Sequence, residues 1–556
     1  MKDKTTLMWI YSHSKAQLLS ILILAILRCS LTVLGVMFAL TSQVVIDAAV
    51  AKNLDGLIAA AIKLLTIIVL QIAIRLVGQA TEARIGARLR LRFRNNIFTA
   101  LLKKDYQAIT AYHTGDLMTR INHDVSVISG GILSLVPSVL ALMVGLVYAL
   151  YSLMRLDPNF AFIFFVGGII LLIVISAFRK VLKKTHKHVQ ETEAKVRSFF
   201  QESLGSLLMI KVFGIEDNIS KSAAALQNDN FKAQMIRRNL TIFSTSGLSM
   251  IFSIGSLYAL VWSSYRLFLG TITFGMLTAI LQLVNQIQSP FASLSGVVPQ
   301  YYSILASSER IIEVCDLPDE DHVTQPLDPK TSYDRLQSLH FENLSFGYGR
   351  DVVLEDANLI IEKGDFAVIA GISGIGKSTL IKLLLGVLVP QSGRIYLKMQ
   401  DSEFDTGKAS RPLFSYVPQG NLLLSGTIRE TVSMVNPDAT DEEIMSAAEL
   451  SCAADFIKQL PNGLDTYVGE KGLGLSEGQV QRLAVCRAIL SDAPIILLDE
   501  ATSALDEATE EKLLQNIRGL KNKTCVIISH KHAAMNICNK HIYIENKKIR
   551  VEENTL

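Results

Sequence analysis

The chain has 556 residues, too many for one hydrophobic core, so we expect at least two domains. Half of the residues are hydrophobic and 19% are charged, and the apolar residues gather in long blocks in the first part of the chain, which predicts a membrane-spanning half followed by a soluble half. The net charge of +3 is small for this length and gives no reason to expect a nucleic-acid partner.

The cysteines point to a reducing compartment. Six cysteines are scattered along the chain without the spacing of a metal site, so we expect free thiols in the cytosol. Residues 1–14 are polar and carry Trp9 and Tyr11, which is typical of an interfacial entry segment rather than of a cleaved signal peptide.

Six apolar stretches are long enough to cross a bilayer, which takes about 20 apolar residues. They lie at 18–46, 57–77, 132–154, 160–178, 242–265 and 274–298. The gaps after the second and the fourth stretch are long and basic, whereas the other gaps are short. This excess of arginine and lysine predicts that both long gaps lie in the cytosol, with the N-terminus and the soluble half. We therefore expect a multi-pass protein of the plasma (inner) membrane.

Polar residues inside the predicted spans are candidates for a substrate pathway, because they are costly in a bilayer. Arg28 lies in the first span and Arg75 in the second, and Pro290 predicts a kink in the sixth. Four polar residues of the sixth span share one helical face: Gln282, Asn285, Gln286 and Ser289. Two interpretations stay open. Either this face lines a central cavity, or it bonds to neighbouring helices, while the arginines either reach the cavity or snorkel to the interface.

The second half follows a predicted linker. Residues 316–330 are rich in Pro and Asp and lack a periodic apolar face, which predicts an exposed segment. Short apolar runs of strand character then alternate with helical patterns, which predicts an α/β sheet; the runs lie at 339–346, 366–369, 495–498 and 524–528. We expect a transmembrane domain at 1–315, a linker at 316–335 and an α/β domain at 336–556.

A glycine-rich loop follows the strand at 366–370. The residues GISGIGKS at 371–378 separate this strand from a helical run. Strand, glycine-rich loop and helix form the arrangement of a phosphate-binding loop, in which backbone N–H groups converge on a phosphate and the helix N-terminus adds its positive end. Lys377 is then expected to reach the β and γ phosphates, and Ser378 to bind Mg²⁺.

A predicted buried strand at 495–498 ends in two carboxylates, Asp499 and Glu500. Four apolar residues lead into the pair, so we expect both side chains at the ligand-binding edge of the sheet. One carboxylate at a strand end suits Mg²⁺ held between protein and phosphates, and its neighbour suits a water placed for in-line attack.

Further short sequences resemble those of the ATP-binding cassette (ABC) transporters. The sequence LSEGQ at 475–479 resembles the family signature, and SALD at 503–506 resembles the loop that crosses the dimer interface. Tyr348 matches the aromatic residue that stacks on adenine, and Gln419 matches the glutamine that links nucleotide and membrane domain. His530 matches the histidine that contacts the γ phosphate.

The resemblance implies a multi-domain fold, with an all-α six-helix transmembrane domain followed by an α/β P-loop NTPase domain of the ABC type. It implies catalytic roles for Glu500 and His530, and Mg²⁺ contacts for Ser378, Gln419 and Asp499. It implies ATP contacts for Tyr348, Gly371, Ser373, Gly374, Ile375, Gly376, Lys377, Ser378, Thr379, Gln419, Ser476, Gly478, Gln479 and Asp506.

The signature departs from the family pattern at Glu477, where glycine is usual. Ser476 and Gly478 are intact, so we expect activity to survive. The added negative charge is expected to weaken nucleotide affinity.

The two long cytosolic gaps resemble the coupling segments of exporter-type members, which dock onto the nucleotide-binding domains. Residues 202–216 resemble the second segment, and residues 466–470 resemble the region that receives such segments. Residues 105–125 resemble the first, with matches at Thr114, Gly115, Asp116, Arg120 and Asp124.

The resemblance implies half of an ATP-driven transporter. One chain carries one phosphate loop and one signature, so the partner is expected to be a second copy or a homologous half. We expect ATP and Mg²⁺ as cofactors and export of an amphiphile (a peptide, lipid or drug-like molecule) by alternating access. The alternative is import of a metallophore-like substrate by the same fold. The predicted spans exclude a DNA-repair ATPase, and Glu500 argues against a channel that uses ATP only as a switch.

Overall fold

The computed structural model describes residues 2–320, 325–420, 423–469, 472 and 474–553. For residues 2–4, 169–184, 186 and several positions between 291 and 298, only the helical backbone is described. The chain forms two compact units. The helical unit comprises Met1–Leu102 and His113–Asp316, and the sheet unit comprises Lys103–Tyr112 and Leu317–Leu556.

Long helices joined by tight turns form the helical unit. In chain order the helices before residue 316 are α1 (Lys2–Ser14), α2 (Leu18–Val50), α3 (Leu54–Leu101), α4 (Tyr106–Thr110), α5 (Thr114–Thr119), α6 (Val125–Leu156), α7 (Pro158–Gly205), α8 (Leu207–Phe213), α9 (Glu216–Phe268) and α10 (Phe274–Cys315), of which α4 belongs to the sheet unit. A 3₁₀ turn (Lys15–Gln17) precedes α2, and a π turn (Arg120–Asp124) joins α5 to α6. Asn53, Asp157 and Thr273 cap the N-termini of α3, α7 and α10 with their side chains.

Each predicted span falls within a separate long helix: α2, α3, α6, α7, α9 and α10. Within the described residues, four helical stretches are long and apolar enough to cross a membrane: Thr5–Val50, Leu54–Leu101, Thr114–Leu156 and Glu216–Phe268. The spans predicted in α7 and α10 include positions whose side chains lie outside the described part. At 48 residues, α3 is about 72 Å long, so it extends well beyond a hydrocarbon core of about 30 Å.

Two buried aspartates join helices of this unit. Asp157 is 2% exposed and accepts a hydrogen bond from Trp262 Nε1 at 3.0 Å. Asp124 is fully buried, accepts a hydrogen bond from Ser307 Oγ at 3.0 Å and pairs with Arg310 at 2.5 Å. Because a buried carboxylate is costly without such partners, these contacts fix α7 against α9 and the π turn against α10.

Two residues that match the first coupling segment, Arg120 and Asp124, therefore have partners inside the helical unit. Residues 114–116 form the first turn of α5. Arg120 is buried; it donates to the Arg310 carbonyl at 2.6 Å and pairs with Glu313 at 3.1 Å. Arg120 and Asp124 thus hold the π turn against α10, a structural role beside the one implied by the resemblance.

In the described part of the sheet unit, the strands form three sheets. Its strands are β1 (Leu336–Tyr348), β2 (Asp351–Glu362), β3 (Phe366–Ala370), β4 (Ser392–Met399), β5 (Glu403–Asp405), β6 (Phe414–Val417), β7 (Gly426–Thr427), β8 (Tyr467–Val468), β9 (Ile495–Asp499), β10 (Thr524–Ile528), β11 (Lys540–Glu545) and β12 (Lys548–Glu553). Its remaining helices are α11 (Pro329–Arg335), α12 (Lys377–Leu384), α13 (Ile428–Ser433), α14 (Asp441–Leu450), α15 (Ala454–Gln459), α16 (Glu477–Leu490), α17 (Glu507–Arg518) and α18 (His532–Ile537).

The central sheet has the strand order β12-β11-β3-β10-β9-β6 and is parallel except for β12 at its edge. Every residue of β3, β9 and β10 is buried, as expected for parallel strands covered on both faces. One hydrophobic core joins this sheet to α12 and to an antiparallel sheet of order β2-β1-β4-β5, and a second core lies under α16, α17 and α18. The parallel strands end together at one edge, which is where a ligand site is expected.

The predicted linker is partly folded onto the sheet unit. Lys104 forms an isolated antiparallel bridge with Asp319; its Nζ pairs with that carboxylate at 2.8 Å and donates to the Leu317 carbonyl at 2.7 Å. Asp328 caps α11, which buries Tyr333. Most described residues of 316–330 are exposed and none of them is buried, as predicted. The segment also starts a helix, because an Asp-Pro pair is a helix start as well as a breaker. Residues 321–324 of the predicted linker lie outside the described residues.

Candidate phosphate-loop site

The glycine-rich loop lies between a buried strand and a helix, as its sequence predicts. It leaves β3 and enters α12 at Gly376, whose φ of 113° is rarely adopted by residues with a side chain. A Cβ on Gly376 would lie 2.3 Å from Val353 Cγ1, so only glycine fits there. The other predicted residues of the loop are Gly371, Ser373, Gly374 and Ile375, of which Ser373 and Gly374 are exposed.

Lys377 is a buried cation at the start of α12. It is 5% exposed, and its Nζ donates to the carbonyls of Gly371 at 2.7 Å and Ile372 at 3.0 Å. No carboxylate among the described residues forms an ion pair with it within 4.0 Å. Burial lowers the pKa of Lys377, while the charges of Glu500 and Asp499 act in the opposite direction. A buried ammonium beside the loop's backbone N–H groups fits a phosphate anion, which would supply the missing negative charge.

Asp499 lies at the end of β9 and is 1% exposed. Its Oδ1 accepts a hydrogen bond from Ser378 Oγ at 2.9 Å, and its Oδ2 accepts one from the Tyr416 hydroxyl at 3.2 Å. Burial raises the pKa of Asp499, and the two hydroxyl donors partly offset this effect. A hydroxyl and a carboxylate side by side are oxygen ligands of the kind that Mg²⁺ takes next to phosphates, so this donor set fits the ion.

Glu500 has a left-handed backbone, with φ at 51°. Its N–H donates to the Ile528 carbonyl on β10 at 3.1 Å. The carboxylate accepts a hydrogen bond from Gln419 Nε2 at 2.6 Å and lies 3.7 Å from His530 Nε2. His530 Nε2 is in turn 3.3 Å from Lys377 Nζ. A positive φ outside glycine costs on the order of 1 kcal/mol and persists where the surroundings require it, as at a side chain with a fixed direction.

Tyr348 lies beside the first turn of α12. It ends β1, is 45% exposed and packs edge-to-face on Phe346 with ring centroids 5.0 Å apart. Its hydroxyl is 3.4 Å from Thr379 Oγ1. The exposed ring offers a stacking surface for a base close to the phosphate loop. The structure therefore brings eight predicted residues together at the carboxyl edge of the central sheet: Tyr348, Lys377, Ser378, Thr379, Gln419, Asp499, Glu500 and His530.

The signature residues form a second group. Ser476 caps α16 in a capping box: its hydroxyl accepts from Gln479 N at 3.3 Å, and Gln479 Oε1 accepts from Ser476 N at 2.9 Å. A Cβ on Gly478 would lie 3.0 Å from the Ala504 carbonyl oxygen, which explains the small residue. Asp506 caps α17 and accepts from Thr509 N at 2.9 Å. Within the described part of the chain, no hydrogen bond joins this signature group to the phosphate-loop residues.

Glu477 occupies the first turn of α16 and is exposed. A carboxylate there is favourable for the helix, because it faces the positive end of the helix dipole. Of the predicted receiving region at 466–470, Glu470 lies outside the described residues.

Arg28 borders a cavity within the helical unit. It pairs with Glu82 at 2.8 Å and donates to the Ser138 hydroxyl. The cavity has a volume of about 500 Å³, and its polar lining comes from Arg28, Thr32, Ser138, Ser293 and Gln300. The predicted arginine thus lies at a cavity, with its charge already paired.

The four predicted polar residues of α10 do not line this cavity, although Ser293 and Gln300 of the same helix do. Gln286 donates to the Gly35 carbonyl at 2.8 Å, which joins α10 to α2. Asn285 and Ser289 are exposed, and Gln282 is half-buried. For Gln286 the structure favours the helix–helix interpretation over the cavity interpretation. Arg75 on α3 is exposed.

Two residues at these sites were not predicted. Tyr416 contacts Asp499, and Gln481 donates to Ser503 Oγ at 2.8 Å and accepts from Ala504 N at 3.0 Å. Gln481 therefore ties α16 to the loop before α17. The only sequence signal for Tyr416 is that it precedes Gln419 by three positions.

Fold and phosphate loop define the class: a membrane protein with a P-loop nucleotide-binding domain. Two family models match the chain, one described as ABC transporter at residues 354–503 and one as ABC transporter transmembrane region at residues 19–291. A Staphylococcus aureus protein named for multidrug export, an ATP-binding/permease protein, is 31% identical over 475 residues, covering 82% of this chain and 80% of that protein. An ATP-dependent lipid A-core flippase of Desulfotalea psychrophila is 28% identical over 477 residues, covering 84% and 82%.

The chain therefore belongs to the ABC transporter family. A solved structure of a bacterial Atm1-family ABC exporter with ATP bound has the same fold, with a TM-score of 0.81 at 22% identity over 97% of this chain and 95% of that one. The predicted fold class is confirmed: a helical transmembrane domain is followed by an ATP-binding domain of the ABC type. The predicted ATP-driven transport is confirmed at the level of the family.

Proposed function

We propose that this chain is one half of a dimeric exporter that hydrolyses ATP to move an amphiphilic molecule across the membrane. The observation that carries the proposal is the position of Glu500. Its carboxylate is bonded to Gln419 and lies near His530, one residue after the buried Asp499 and at the same sheet edge as Lys377.

Each residue of the phosphate-loop site has a role that its position supports. Lys377 and the backbone of the loop would hold the β and γ phosphates, and Tyr348 would stack on the base. Ser378, Asp499 and Gln419 would hold Mg²⁺, which screens the phosphate charge. Glu500 would accept a hydrogen bond from the attacking water and orient it, while His530 would contact the γ phosphate.

A second copy of the chain would complete each ATP site. Ser476, Gly478 and Gln479 lie at the start of α16, where a helix N-terminus suits phosphate, yet within the described residues they make no hydrogen bond to their own chain's phosphate loop. A partner's signature group would therefore face this chain's loop. The surface of α8, in a segment predicted to be cytosolic, also supports a partner. Leu208, Val212 and Phe213 are 79%, 71% and 71% exposed, and exposed apolar side chains that lie together usually mark an interface.

The names of the relatives support the direction and the class of substrate proposed here. One is named for multidrug export and the other for flipping lipid A-core, and neither name describes import. We therefore favour export of lipid-like or drug-like amphiphiles over import of a metallophore. The transmembrane domain would occupy 1–315 and the ATP-binding domain 336–556, in the inner membrane with the N-terminus and the ATP-binding domain in the cytoplasm.

The substitution Glu500→Gln tests the proposal. A glutamine can still accept the hydrogen bond from Gln419, but it no longer provides a carboxylate to orient water. We expect near-complete loss of ATP turnover with ATP binding kept, measured by phosphate release and by nucleotide binding to the purified full-length protein. Glu511→Gln, an exposed position on α17, is the matched control and should keep turnover. Turnover of the Glu500→Gln protein at the wild-type rate would overturn the assignment.

A further inference from the structure

Strand β6 and the turn that follows it contact both members of the Asp499–Glu500 pair. The Tyr416 hydroxyl donates to Asp499 Oδ2 at 3.2 Å, and Gln419 Nε2 donates to Glu500 Oε2 at 2.6 Å. The two donors are three residues apart: Tyr416 lies on β6, and Gln419 lies two residues beyond its end. The resemblance to the family assigns a role to Gln419 and none to Tyr416.

The register of the sheet explains why Tyr416 reaches Asp499. In the parallel pairing of β6 and β9, Tyr416 lies opposite Leu497. Asp499 is two residues beyond Leu497, so it points to the same face of the sheet. A tyrosine is long enough to reach such a diagonal neighbour, whereas a smaller polar side chain at this position is not.

The carboxylate of Asp499 has few partners for a buried charge. Among the described residues, only the hydroxyls of Ser378 and Tyr416 donate hydrogen bonds to it. In the proposed site the Ser378 oxygen binds Mg²⁺ as well as Asp499. The Tyr416 hydroxyl does not bind the ion, so it can donate to Asp499 Oδ2 whether or not Mg²⁺ is present. Asp499 Oδ1 then stays directed toward Ser378.

We propose that Tyr416 is a positioning residue for magnesium: its hydroxyl fixes the orientation in which Asp499 meets the ion. The inference rests on the proposed function, since it assumes that the Ser378–Asp499 pair takes Mg²⁺ at this site. It extends that function to a side chain outside the motifs. It also gives the segment 416–419 a role in both halves of the chemistry, with Tyr416 acting on the metal-binding carboxylate and Gln419 on the water-orienting one.

The test compares Tyr416→Phe with wild type in the binding of AMPPNP, a nucleotide that is not turned over. Affinity is measured on the full-length protein in detergent, once with Mg²⁺ and once with EDTA. Phenylalanine keeps the ring and removes only the donor. We expect the gain in affinity from Mg²⁺ to fall by about ten-fold, which is the usual effect of losing a partner of a metal-binding side chain. Affinity in EDTA should stay within about two-fold of wild type, since the loop is untouched.

Tyr333→Phe is the matched control. Tyr333 is buried in the same unit, and its hydroxyl bonds to Thr524 Oγ1 at 2.9 Å, far in sequence from the loop. The Tyr333→Phe substitution should leave the increase in AMPPNP affinity on adding Mg²⁺ unchanged. Direct titration of Mn²⁺ by its EPR signal gives a second readout, and the Tyr416→Phe protein should bind Mn²⁺ about ten-fold more weakly in the presence of AMPPNP.

The possible outcomes separate this inference from the proposed function. The inference is overturned if the Tyr416→Phe protein keeps the full increase in AMPPNP affinity on adding Mg²⁺. It is also overturned if its AMPPNP affinity falls equally in EDTA and in Mg²⁺, because Tyr416 then does not act on the metal. If wild-type protein itself gains no affinity from Mg²⁺, the proposed site is wrong before Tyr416 is considered.

Discussion

Glu320, in the segment after α10, is linked through Arg411 to the end of the phosphate-loop helix. Its carboxylate accepts a hydrogen bond from Arg411 Nη2 at 2.5 Å and lies 3.5 Å from Lys408 Nζ. Arg411 also donates to the carbonyls of Leu385 and Gly386 at 3.0 Å each, just past the end of α12. A cation there satisfies free carbonyls and faces the negative end of the helix dipole. The ion pair thus holds the far end of the helix that begins at the phosphate loop.

This ion pair predicts a pH-dependent stability. Burial disfavours the charged form of Glu320, but the hydrogen bonds and charges of Arg411 and Lys408 outweigh it, so the pKa of Glu320 lies below its usual value. A carboxyl with a lowered pKa in the folded state adds stability above its unfolded pKa of about 4.3, and this stability is lost as the pH falls through the folded pKa. Glu320→Gln should therefore lower the free energy of unfolding by about 1–2 kcal/mol at pH 7.

Thermal unfolding of the full-length protein in detergent measures this effect. The difference from wild type should be full at pH 7 and shrink steadily below about pH 4.3, where the wild-type side chain also becomes neutral. Glu403→Gln, which removes an exposed partner of Arg394, should cost less at pH 7. An equal loss for Glu320→Gln at both ends of the pH range would show that its charge has no part in stability.

At the scale of helices and strands, the sequence predicts the elements that depend on local patterns. It does not predict which distant segments lie side by side. The strand, loop and helix around Lys377 are present where the glycines and apolar runs predict them, because these signals lie within about 20 residues of each other. The contact of Tyr416 with Asp499 depends on β6 lying beside β9, although 77 residues separate these strands in the chain. The pairing of Lys104 with Asp319 likewise joins distant parts of the sequence.

The start of α16 carries a local sequence signal, a capping box. The spacing of Ser476 and Gln479 is that of a capping box, and the structure shows both of its hydrogen bonds. Similar boxes begin α13 at Thr427 and α14 at Thr440. The signature sequence therefore fixes the start of α16 in addition to any contact with nucleotide. The same residues can do both, because a capped helix start still directs its free N–H groups outward.

At the scale of the whole molecule, the proposed dimer predicts that ATP turnover depends on residues from two chains. Each ATP site would combine the phosphate loop of one chain with the signature of the other. Lys377→Ala and Ser476→Arg should each abolish turnover in a homodimer. Co-expressed and purified through two different tags, the mixed dimer should regain turnover, because one of its sites has both an intact loop and an intact signature. Phosphate release by the mixed dimer is the measurement.

No recovery in the mixed dimer, with both chains present in equal amounts, would place the loop and the signature of each site in the same chain. The Glu511→Gln chain mixed with the Lys377→Ala chain serves as the control for assembly. Its Glu511 substitution lies at an exposed position outside the site, so this pair should also show turnover.

Transport by the purified protein, in liposomes whose ATP-binding domains face outward, tests the proposed exporter most directly. A fluorescent cationic dye and a fluorescently labelled phospholipid serve as probes. With ATP outside, we expect the dye to accumulate in the lumen or the labelled lipid to move to the inner leaflet, and we expect Glu500→Gln to abolish both. ATP-driven movement of these probes out of the lumen, or movement that persists in Glu500→Gln, would contradict an exporter powered at this site.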